Sequence, residues 1–371
     1  MLAKRMCQLK PYVPGEQPKD RPYIKLNANE NPYAPPENVI QAVKKMLDET
    51  KGESLKLYPD PDSLELKKAY AELLNKSGGV LSKPQPLSHK LSAENIFAGN
   101  GSDEVLSFVF YAFFNEDSPV VIPEHTYSFY PVYAGFYNIP LKKIPLNKDF
   151  SINIDAMEKE FSSCSGMIFA NPNAPTGIAL SNNELRSMLK KYPKDKVFVV
   201  DEAYADFSDE SALRLLDEFP NLLVIRTSSK SLSFAGMRLG FACGSKELID
   251  ALTTVKNSFN HFPVDRITQT AGIAACKEDA YYTKTAKEVV RVRDNFIAFL
   301  KKRGWEVIGS KTNFILAGCK EKTGREVYEY IKSKGILVRY FSIPVIENYV
   351  RITIGSEDEM NQLERIMEEI K

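Results

Sequence analysis

Val197-Phe198-Val199-Val200 is followed at once by Asp201-Glu202-Ala203-Tyr204, and this segment indicates the fold class. A short, continuously apolar run that is rich in β-branched residues is typical of a strand buried on both faces. Three comparable runs lie at residues 120–122, 167–170 and 222–225. The middle of the chain therefore contains several buried strands.

A helix signal separates two of these strands. Ser181 and Glu184 stand three residues apart at the start of an amphipathic stretch that runs to Tyr192, which is the capping-box pattern of a helix N-terminus. Strand, helix and strand thus alternate. We predict an α/β fold in which a large domain contains a mostly parallel sheet sandwiched by helices.

The last third of the chain has a different pattern. A long helix over roughly 282–302 is followed by shorter elements, with strands at 305–308, 314–316 and 350–354 and helices at 323–334 and from residue 356. Gly335 follows the penultimate helix, as is usual at a helix C-terminus. These elements predict a smaller α+β domain.

Composition excludes several classes of protein. The 371 residues are 43% hydrophobic and 26% charged, and the net charge of +1 gives no electrostatic reason to expect nucleic acid or an acidic membrane as a partner. No run of about 18 apolar residues or secretory signal is apparent. Five scattered cysteines and three histidines lack metal-ligand spacing, so we expect a cytoplasmic protein without a metal site.

Polar residues follow three of the predicted strands, where ligands of open α/β sheets bind. Residues 171–177 read Asn-Pro-Asn-Ala-Pro-Thr-Gly, residues 201–204 read Asp-Glu-Ala-Tyr, and residues 226–230 read Arg-Thr-Ser-Ser-Lys. At any single strand end, polar residues are simple surface caps about as often as they are binding residues. Three such ends in this order favour a binding site.

Lys230 is the candidate nucleophile. A single lysine is usually a solvated charge, but the segment after Lys230 contains Phe234-Ala235-Gly236 and then an apolar run from Leu239. A desolvated amine near another cation has a lowered pKa and becomes a useful nucleophile. Arg238 is the neighbouring cation, and its guanidinium could bind a phosphate through two hydrogen bonds or form a surface ion pair.

Residues 98–104, Ala-Gly-Asn-Gly-Ser-Asp-Glu, open an apolar helix. The free N–H groups and the positive dipole of a helix N-terminus favour an anion, although the segment is also an ordinary turn before a helix. It fails as a dinucleotide fingerprint because Glu104 occupies the third glycine position, and no Gly-Lys-Ser/Thr occurs. A nicotinamide oxidoreductase is therefore disfavoured.

The order of these segments resembles the fold-type-I pyridoxal-phosphate aminotransferases, specifically the histidinol-phosphate aminotransferase family. The resemblance covers nearly the whole chain, and its further motifs are Leu-Asn-Ala-Asn-Glu-Asn-Pro at 26–32, Leu-Tyr-Pro-Asp at 57–60, Asn-Ser-Phe-Asn at 257–260, Val-Arg-Tyr-Phe at 338–341 and Val-Arg-Ile-Thr-Ile-Gly at 350–355. We expect a large cofactor-binding domain at 46–258, and an N-terminal arm at 1–45 joined with a small domain at 259–371.

The resemblance implies a role for each site residue. Lys230 would bind pyridoxal 5′-phosphate covalently and, once released, move the substrate proton. Asp201 would pair with the ring nitrogen and keep it protonated, and Tyr204 would hydrogen-bond the 3′-oxygen. The other implied cofactor contacts are Gly101, Ser102, Asp103, Tyr127, Thr227, Ser229 and Arg238, with Tyr58 arriving from the second subunit of a homodimer. Without the resemblance, Tyr58 and Tyr127 would be ordinary half-buried aromatics.

One position departs from the family pattern. The family usually has asparagine immediately before Pro-Thr-Gly, where it bonds the 3′-oxygen, and here that residue is Ala174. Asn173 is the favoured substitute through a shifted turn, and Asn171 is the alternative. Tyr204 could also form that hydrogen bond alone.

Substrate binding is implied for Arg339, Arg351 and Asn29. Histidinol phosphate has a phosphate and glutamate has two carboxylates, and arginine side chains suit both anions. Arg351 lies between Val350 and Ile352, so it requires a partner, either a substrate anion or a structural carboxylate.

The predicted reaction exchanges an amino group between L-histidinol phosphate and 2-oxoglutarate, giving imidazole-acetol phosphate and glutamate, a step of histidine biosynthesis. Three alternatives stay open. An aromatic or broad-range aminotransferase and a threonine-phosphate decarboxylase would use the same scaffold. A non-catalytic relative would bind without chemistry, although Lys230, Asp201, Tyr204 and Arg238 together argue against that.

Overall fold

The computed structural model describes residues 2–3, 6, 9–12 and 15–370. Its strands, labelled in chain order, are β1 (Ile24–Lys25), β2 (Ile96–Asn100), β3 (Val120–Pro123), β4 (Leu141–Ile144), β5 (Gly166–Ala170), β6 (Phe198–Asp201), β7 (Leu222–Thr227), β8 (Leu239–Cys243), β9 (Glu306–Ile308), β10 (Phe314–Gly318), β11 (Ile336–Leu337), β12 (Arg339–Tyr340) and β13 (Tyr349–Thr353).

The helices are α1 (Glu37–Thr50), α2 (Leu64–Ser77), α3 (Gly101–Phe113), α4 (Tyr130–Phe136), α5 (Ile154–Glu158), α6 (Asn182–Lys191), α7 (Lys246–Phe259), α8 (Arg266–Ala275), α9 (Asp279–Lys302), α10 (Gly324–Ser333) and α11 (Glu357–Glu368). Helices α6, α10 and α11 each begin with a complete capping box. Among the described helices, none is both long and apolar enough to cross a membrane.

Seven strands form the large sheet in the order β2-β8-β7-β6-β5-β3-β4. The strands from β4 to β7 pair in parallel, whereas β8 is antiparallel to both of its neighbours. The chain connects β7 to β8 through residues 228–238, which is too short for the helical crossover that a parallel pair needs. The predicted α/β fold with a mostly parallel sheet is confirmed.

The central strands are buried on both faces, as their apolar runs predict. Phe169, Phe198 and Val200 belong to one hydrophobic cluster, and the alternate residues Ile168 and Val199 belong to the cluster on the opposite face. Because side chains alternate along a strand, each strand contributes to both clusters. The polar residues that follow these strands are thereby held at one edge of a rigid sheet.

A smaller sheet with the order β12-β13-β10-β9 is built from the C-terminal third. The N-terminal segment joins this part of the chain, because β1 pairs with β11 and the N–H of Thr353 donates to the carbonyl of Leu26. Residues 1, 4–5, 7–8 and 13–14 of the predicted arm lie outside the described residues. The predicted boundary at residue 46 falls inside α1, and the division into domains stays a prediction.

Candidate active site

Two adjoining cavities lie where β5, β6 and β7 end. The larger has a volume of about 440 Å³ and the smaller about 200 Å³. They share a wall formed by Ala28, Tyr127, Ala174, Tyr204 and Lys230. Three predicted site residues, Tyr127, Tyr204 and Lys230, therefore stand between the two spaces, and most of the others line one cavity or the other.

Lys230 projects from the connection between β7 and β8. Its Nζ donates to the carbonyl oxygen of Ala28 at 3.3 Å and lies 5.9 Å from the ring centre of Tyr204. The backbone of Lys230 is fixed, because Nδ2 of Asn31 donates to the carbonyls of Lys230 at 2.9 Å and of Ser231 at 3.2 Å. A held backbone with an amine facing both cavities suits a nucleophile. The sequence analysis did not identify Asn31 as a contact of this segment.

Asp201 ends β6 and is 4% exposed. Its Oδ2 accepts a hydrogen bond from Tyr130 at 2.8 Å, and its Oδ1 accepts one from the N–H of Ala203 at 3.2 Å. Burial raises the pKa of Asp201 to about 6, and the two hydrogen bonds partly oppose that rise. A buried carboxylate that lines the smaller cavity suits a protonated ring nitrogen, which would supply the missing positive charge.

Tyrosines at positions 127, 130 and 133 contact two acidic residues of the smaller cavity, Asp103 and Asp201. The hydroxyl groups of Tyr127 and Tyr133 donate to Oδ1 of Asp103 at 2.8 and 3.4 Å, while Tyr130 donates to Asp201. Burial raises the pKa of all three hydroxyl groups, so they act as donors. Tyr130 and Tyr133 were not predicted as site residues, although they follow Tyr127 at successive intervals of three residues, a spacing typical of one helical face.

The start of α3 forms one wall of the smaller cavity. Gly101 has a φ of 77°, and a Cβ at this position would lie 2.8 Å from Nη2 of Arg238. A Cβ at Gly240 would lie 2.3 Å from the backbone nitrogen of Ser102. Both glycines are therefore required for the close approach of β8 and Arg238 to the helix N-terminus.

Hydroxyl and guanidinium groups complete this wall. Ser102, Thr227, Ser229 and Arg238 all line the smaller cavity, and Thr227 donates to Oγ of Ser229 at 3.0 Å. Nη2 of Arg238 donates to Oδ2 of Asp103 at 2.9 Å, so Asp103 orients the cation. Hydroxyls, a helix N-terminus and an arginine form a donor set that suits a phosphate. These residues fit the cofactor that the resemblance implies.

Tyr204 contacts Asn29 on the opposite side of the shared wall. Nδ2 of Asn29 donates to the Tyr204 hydroxyl at 2.8 Å, and the Tyr204 ring packs edge-on against Phe314 at 5.1 Å. Asn29 lines the larger cavity, as expected of a substrate contact. Its amide nitrogen is nevertheless engaged by Tyr204, so its side chain is committed to the protein rather than free for a substrate.

The position of Asn173 differs from the prediction. Its Nδ2 donates to the carbonyl of His125 at 2.9 Å and to Oγ1 of Thr176 at 3.1 Å, and the residue lines neither cavity. The side chain of Asn171 bonds the backbone of Leu180 through both its oxygen and its nitrogen. Both amides stabilise their own turn, and Ala174 faces the cavities instead. On this geometry we no longer expect Asn173 to contact the cofactor.

Arg339 and Arg351 face each other across neighbouring strands and line the larger cavity. Nη2 of Arg351 donates to the carbonyl of Asn27 at 3.1 Å, while its Nε is buried without a partner. The guanidinium groups of Arg339 and Arg351 lie 5.3 and 5.4 Å from the ring centre of Phe341. Burial lowers the pKa of Arg351, and Arg339 lowers it further. Within the described chain neither arginine forms an ion pair, so this pair suits an anionic ligand.

Tyr58 lies away from both cavities. It is 78% exposed and stacks on Phe262 with ring centres 4.5 Å apart, while Arg266 donates to its carbonyl at 2.7 Å. The single chain does not bring Tyr58 to the other predicted site residues.

In the described part of the chain, no group of three or more acidic, histidine or cysteine side chains could hold a metal ion.

Comparisons with known proteins identify the family of the chain. A family model described as aminotransferase class I and II matches residues 21–370. The sequence is 48% identical to a histidinol-phosphate aminotransferase of Syntrophus aciditrophicus (strain SB), over 100% of this chain and 97% of that protein. It is 44% identical to a histidinol-phosphate aminotransferase of Brachyspira hyodysenteriae, over 97% and 96% of the two chains.

Solved structures are similar in fold. The histidinol-phosphate aminotransferase of Sinorhizobium meliloti, determined in complex with pyridoxal-5′-phosphate, aligns with a TM-score of 0.80 at 22% identity over 95% of this chain and 93% of that one. The enzyme of Clostridium acetobutylicum aligns with a TM-score of 0.81 at 21% identity over 94% and 98%. At this level of identity the likeness concerns the fold alone.

Proposed function

The chain belongs to the histidinol-phosphate aminotransferase family within the class I and II aminotransferases, and we propose that it transfers an amino group between L-histidinol phosphate and 2-oxoglutarate. The products are imidazole-acetol phosphate and glutamate, which makes the reaction a step of histidine biosynthesis. The relatives that bear this name cover the full length of the chain, and the two cavities provide a separate space for a cofactor and for a substrate.

We assign the smaller cavity to pyridoxal 5′-phosphate. When bound, this cofactor supplies a carbonyl that accepts the amino group and a ring that withdraws electrons from the reacting carbon. Ser102, Thr227, Ser229 and Arg238 would hold its phosphate, because their donors line one end of the cavity. Asp201 would face the ring nitrogen, since its buried carboxylate requires a cation.

Three side chains of this protein do the chemical work in our proposal. Lys230 removes the proton from the amino-bearing carbon of the substrate, because its amine is the base that faces both cavities. Asp201 maintains a negative charge at a buried position. Tyr204, in the wall between the two cavities, donates a hydrogen bond to a ligand oxygen and stabilises negative charge on it.

The observation that carries the substrate assignment is the arginine pair. Arg339 and Arg351 lie opposite each other, line the larger cavity and have no carboxylate partner within the described chain. Two adjacent unpaired cations repel each other, and an anion between them relieves that repulsion. The phosphate of histidinol phosphate and the distal carboxylate of glutamate can use this subsite in turn.

A homodimer would complete the site. Tyr58 is exposed and already held by Phe262 and Arg266, so its orientation is fixed before any partner arrives. In our proposal it reaches the phosphate end of the smaller cavity in a second copy of the chain. Three exposed apolar residues close to Tyr58 in sequence, Leu55, Leu57 and Leu64, support burial of this region.

The test is a comparison of matched amino donors with 2-oxoglutarate as the acceptor. We expect kcat/KM for L-histidinol phosphate to exceed that for L-histidinol, which lacks only the phosphate, by roughly a hundredfold or more. Phenylalanine and phosphothreonine serve as further donors. Equal kcat/KM with and without the phosphate, or a preference for phenylalanine, would overturn the assignment. Release of CO₂ from phosphothreonine without 2-oxoglutarate would identify a decarboxylase.

A further inference from the structure

Asn29 is buried, and its conformation is fixed by hydrogen bonds. It is 2% exposed and has a φ of 55°, in the left-handed region that asparagine tolerates better than most residues. All four of its polar groups, two from the backbone and two from the side chain, have hydrogen-bond partners. A sparsely populated conformation persists only when its surroundings fix it, and such positions cluster at functional sites.

The two backbone groups bond to the small sheet and its neighbourhood. The N–H of Asn29 donates to Oγ1 of Thr353 at 3.0 Å, and its carbonyl accepts from Nδ2 of Asn313 at 3.0 Å. Thr353 ends β13, and Asn313 precedes β10 directly. Both partners are buried. The conformation of Asn29 is therefore set by residues about 300 positions away in the sequence.

The side-chain amide forms a directed chain of hydrogen bonds. The hydroxyl of Thr353 donates to Oδ1 of Asn29 at 3.1 Å, and Nδ2 of Asn29 donates to the hydroxyl oxygen of Tyr204 at 2.8 Å. Because the Thr353 hydroxyl already accepts the backbone N–H, its own proton is free for the amide oxygen. This contact fixes which end of the amide faces Tyr204.

A hydroxyl oxygen that accepts a hydrogen bond from one side can donate its own proton elsewhere. In the described part of the chain, the Tyr204 hydroxyl has no hydrogen-bond partner other than Asn29. The Tyr204 ring lines both cavities, and its edge packs against Phe314. The free proton is therefore available on the cavity side.

We propose that Asn29 and Thr353 are positioning residues that direct the proton of the Tyr204 hydroxyl into the cavity shared with Lys230. The proposal rests on the assignment of that cavity to pyridoxal 5′-phosphate. The same segment also touches Lys230, since the carbonyl of Ala28 accepts from its amine. One short stretch thus contacts both side chains that face the reacting group.

The positioning role should affect the pH midpoint of the visible absorption band of the cofactor-loaded protein. A hydroxyl that donates to the ring oxygen of the cofactor favours the ionised form of that oxygen, and so lowers the pH midpoint of the visible absorption band. A Tyr204 hydroxyl whose proton is no longer directed would donate less effectively. The midpoint should then rise by roughly 0.5 to 1, the equivalent of one ordinary hydrogen bond.

The test is a spectroscopic pH titration of cofactor-loaded Thr353→Val and Thr353→Ser, a pair that differs in the hydroxyl. We expect Thr353→Val to raise the midpoint and Thr353→Ser to retain the wild-type value. Tyr204→Phe should raise it as well, and adding Thr353→Val to Tyr204→Phe should produce no further rise, because both act through one hydroxyl. Equal midpoints for Val and Ser, or fully additive shifts in the double variant, would overturn the proposal.

Asn29→Gly is the second variant, because glycine accepts a positive φ and retains both backbone hydrogen bonds while removing the amide. It should raise the midpoint as Thr353→Val does, and a wild-type midpoint would overturn the proposal even if Thr353→Val does not fold. Failure of the cofactor assignment can be distinguished from failure of the positioning role. A wild-type protein without a visible band contradicts the cofactor assignment, whereas a normal band with unmoved midpoints contradicts only the role of Asn29 and Thr353.

Discussion

The hydroxyl of Tyr130 donates a 2.8 Å hydrogen bond to Oδ2 of Asp201, and both residues are buried. Burial opposes the charge on Asp201 and raises its pKa to about 6, while Tyr130 and the N–H of Ala203 lower it again. The cofactor-free protein therefore holds a carboxylate that its surroundings only partly stabilise. We interpret this as preparation for a cationic partner at the base of the smaller cavity.

The first prediction concerns the stability of the cofactor-free protein. The folded state binds the Asp201 proton more tightly than the unfolded state, so between pH 3.8 and about 6 this group makes folding less favourable as the pH rises. At pH 7.5 the penalty is fully present and amounts to roughly 3 kcal/mol. Asp201→Asn should raise the free energy of unfolding by about that amount, and by less at pH 5, as measured by urea denaturation.

Tyr130→Phe is a control for Asp201→Asn because it should change the stability in the opposite direction. It removes the donor and leaves the carboxylate, so it should lower the stability of the cofactor-free protein at pH 7.5. Both variants should weaken cofactor binding, because one loses the charge and the other raises the pKa of that carboxyl group. Equal unfolding free energies for wild type and Asp201→Asn at pH 7.5 would show that the carboxylate is not destabilised.

The second prediction separates Asn173 from the cofactor. Asn173 bonds His125 and Thr176 and lines neither cavity, so Asn173→Ala should cost roughly 1–3 kcal/mol of stability through the lost hydrogen bonds. The pH midpoint of the visible band of the cofactor-loaded protein should not move. A raised midpoint with unchanged thermal stability would restore the earlier expectation that Asn173 bonds the 3′-oxygen.

The third prediction compares two arginines on strands. Arg351 has no carboxylate partner in the described chain, so Arg351→Met should leave stability equal to or above that of the wild type. It should lower kcat/KM for histidinol phosphate roughly ten- to hundredfold, since it removes a charged contact with the substrate. Differential scanning calorimetry and steady-state kinetics measure the two effects.

Arg226 provides the matched control for Arg351. It is 2% exposed and pairs with Glu202 at 3.0 Å and with Asp206 at 2.8 Å. Arg226→Met leaves the buried carboxylate of Glu202 and the partly buried carboxylate of Asp206 without their cation, so it should destabilise the protein by about 3–5 kcal/mol. If Arg351→Met proved as destabilising as Arg226→Met, the cation at 351 would be structural and the anion subsite would be wrong.

The fourth prediction tests the shared site of the homodimer. Lys230→Ala and Tyr58→Ala should each be weakly active alone, but mixed dimers contain one site with both native residues. After the two proteins are unfolded and refolded together in equal amounts, activity should reach about a quarter of the wild-type value, because half of the dimers are mixed and each has one intact site. Activity is measured before and after mixing.

Lys230→Ala mixed with Asp201→Asn is the negative control, since both residues belong to the same chain's site and every site in the mixture stays defective. Recovery in this control, or no recovery with Tyr58→Ala, would contradict a tyrosine that crosses between subunits. Analytical ultracentrifugation of the mixtures confirms that dimers are present in both experiments.

Much of the fold follows from local patterns. The buried strands β5, β6 and β7 are predicted by continuous apolar runs, and the start of α6 is predicted by the capping box at Ser181 and Glu184. These signals lie within a few residues of one another, so one sequence is sufficient to recognise them. The direction of β8 depends instead on the length of the connection before it.

The site is less predictable because its contacts are remote in sequence. Asn29 meets Tyr204, Asn313 and Thr353 across hundreds of residues, and no local pattern encodes such contacts. Asn173 is difficult for a different reason. Asn171 and Asn173 are the same residue type in one turn, and only the conformation of that turn determines where each side chain points. Residue type and order indicate the chemistry of Lys230, whereas the contacts that orient the surrounding side chains appear only in three dimensions.

The most direct measurement is a half-reaction followed by absorption. Purified protein loaded with pyridoxal 5′-phosphate is mixed with L-histidinol phosphate in the absence of any keto acid, and 2-oxoglutarate is added afterwards. We expect the visible band to disappear in favour of an ultraviolet band and to return with 2-oxoglutarate, and we expect Lys230→Ala to do neither at a comparable rate. A visible band that histidinol phosphate leaves unchanged, while glutamate or phenylalanine bleaches it, would contradict the proposed substrate.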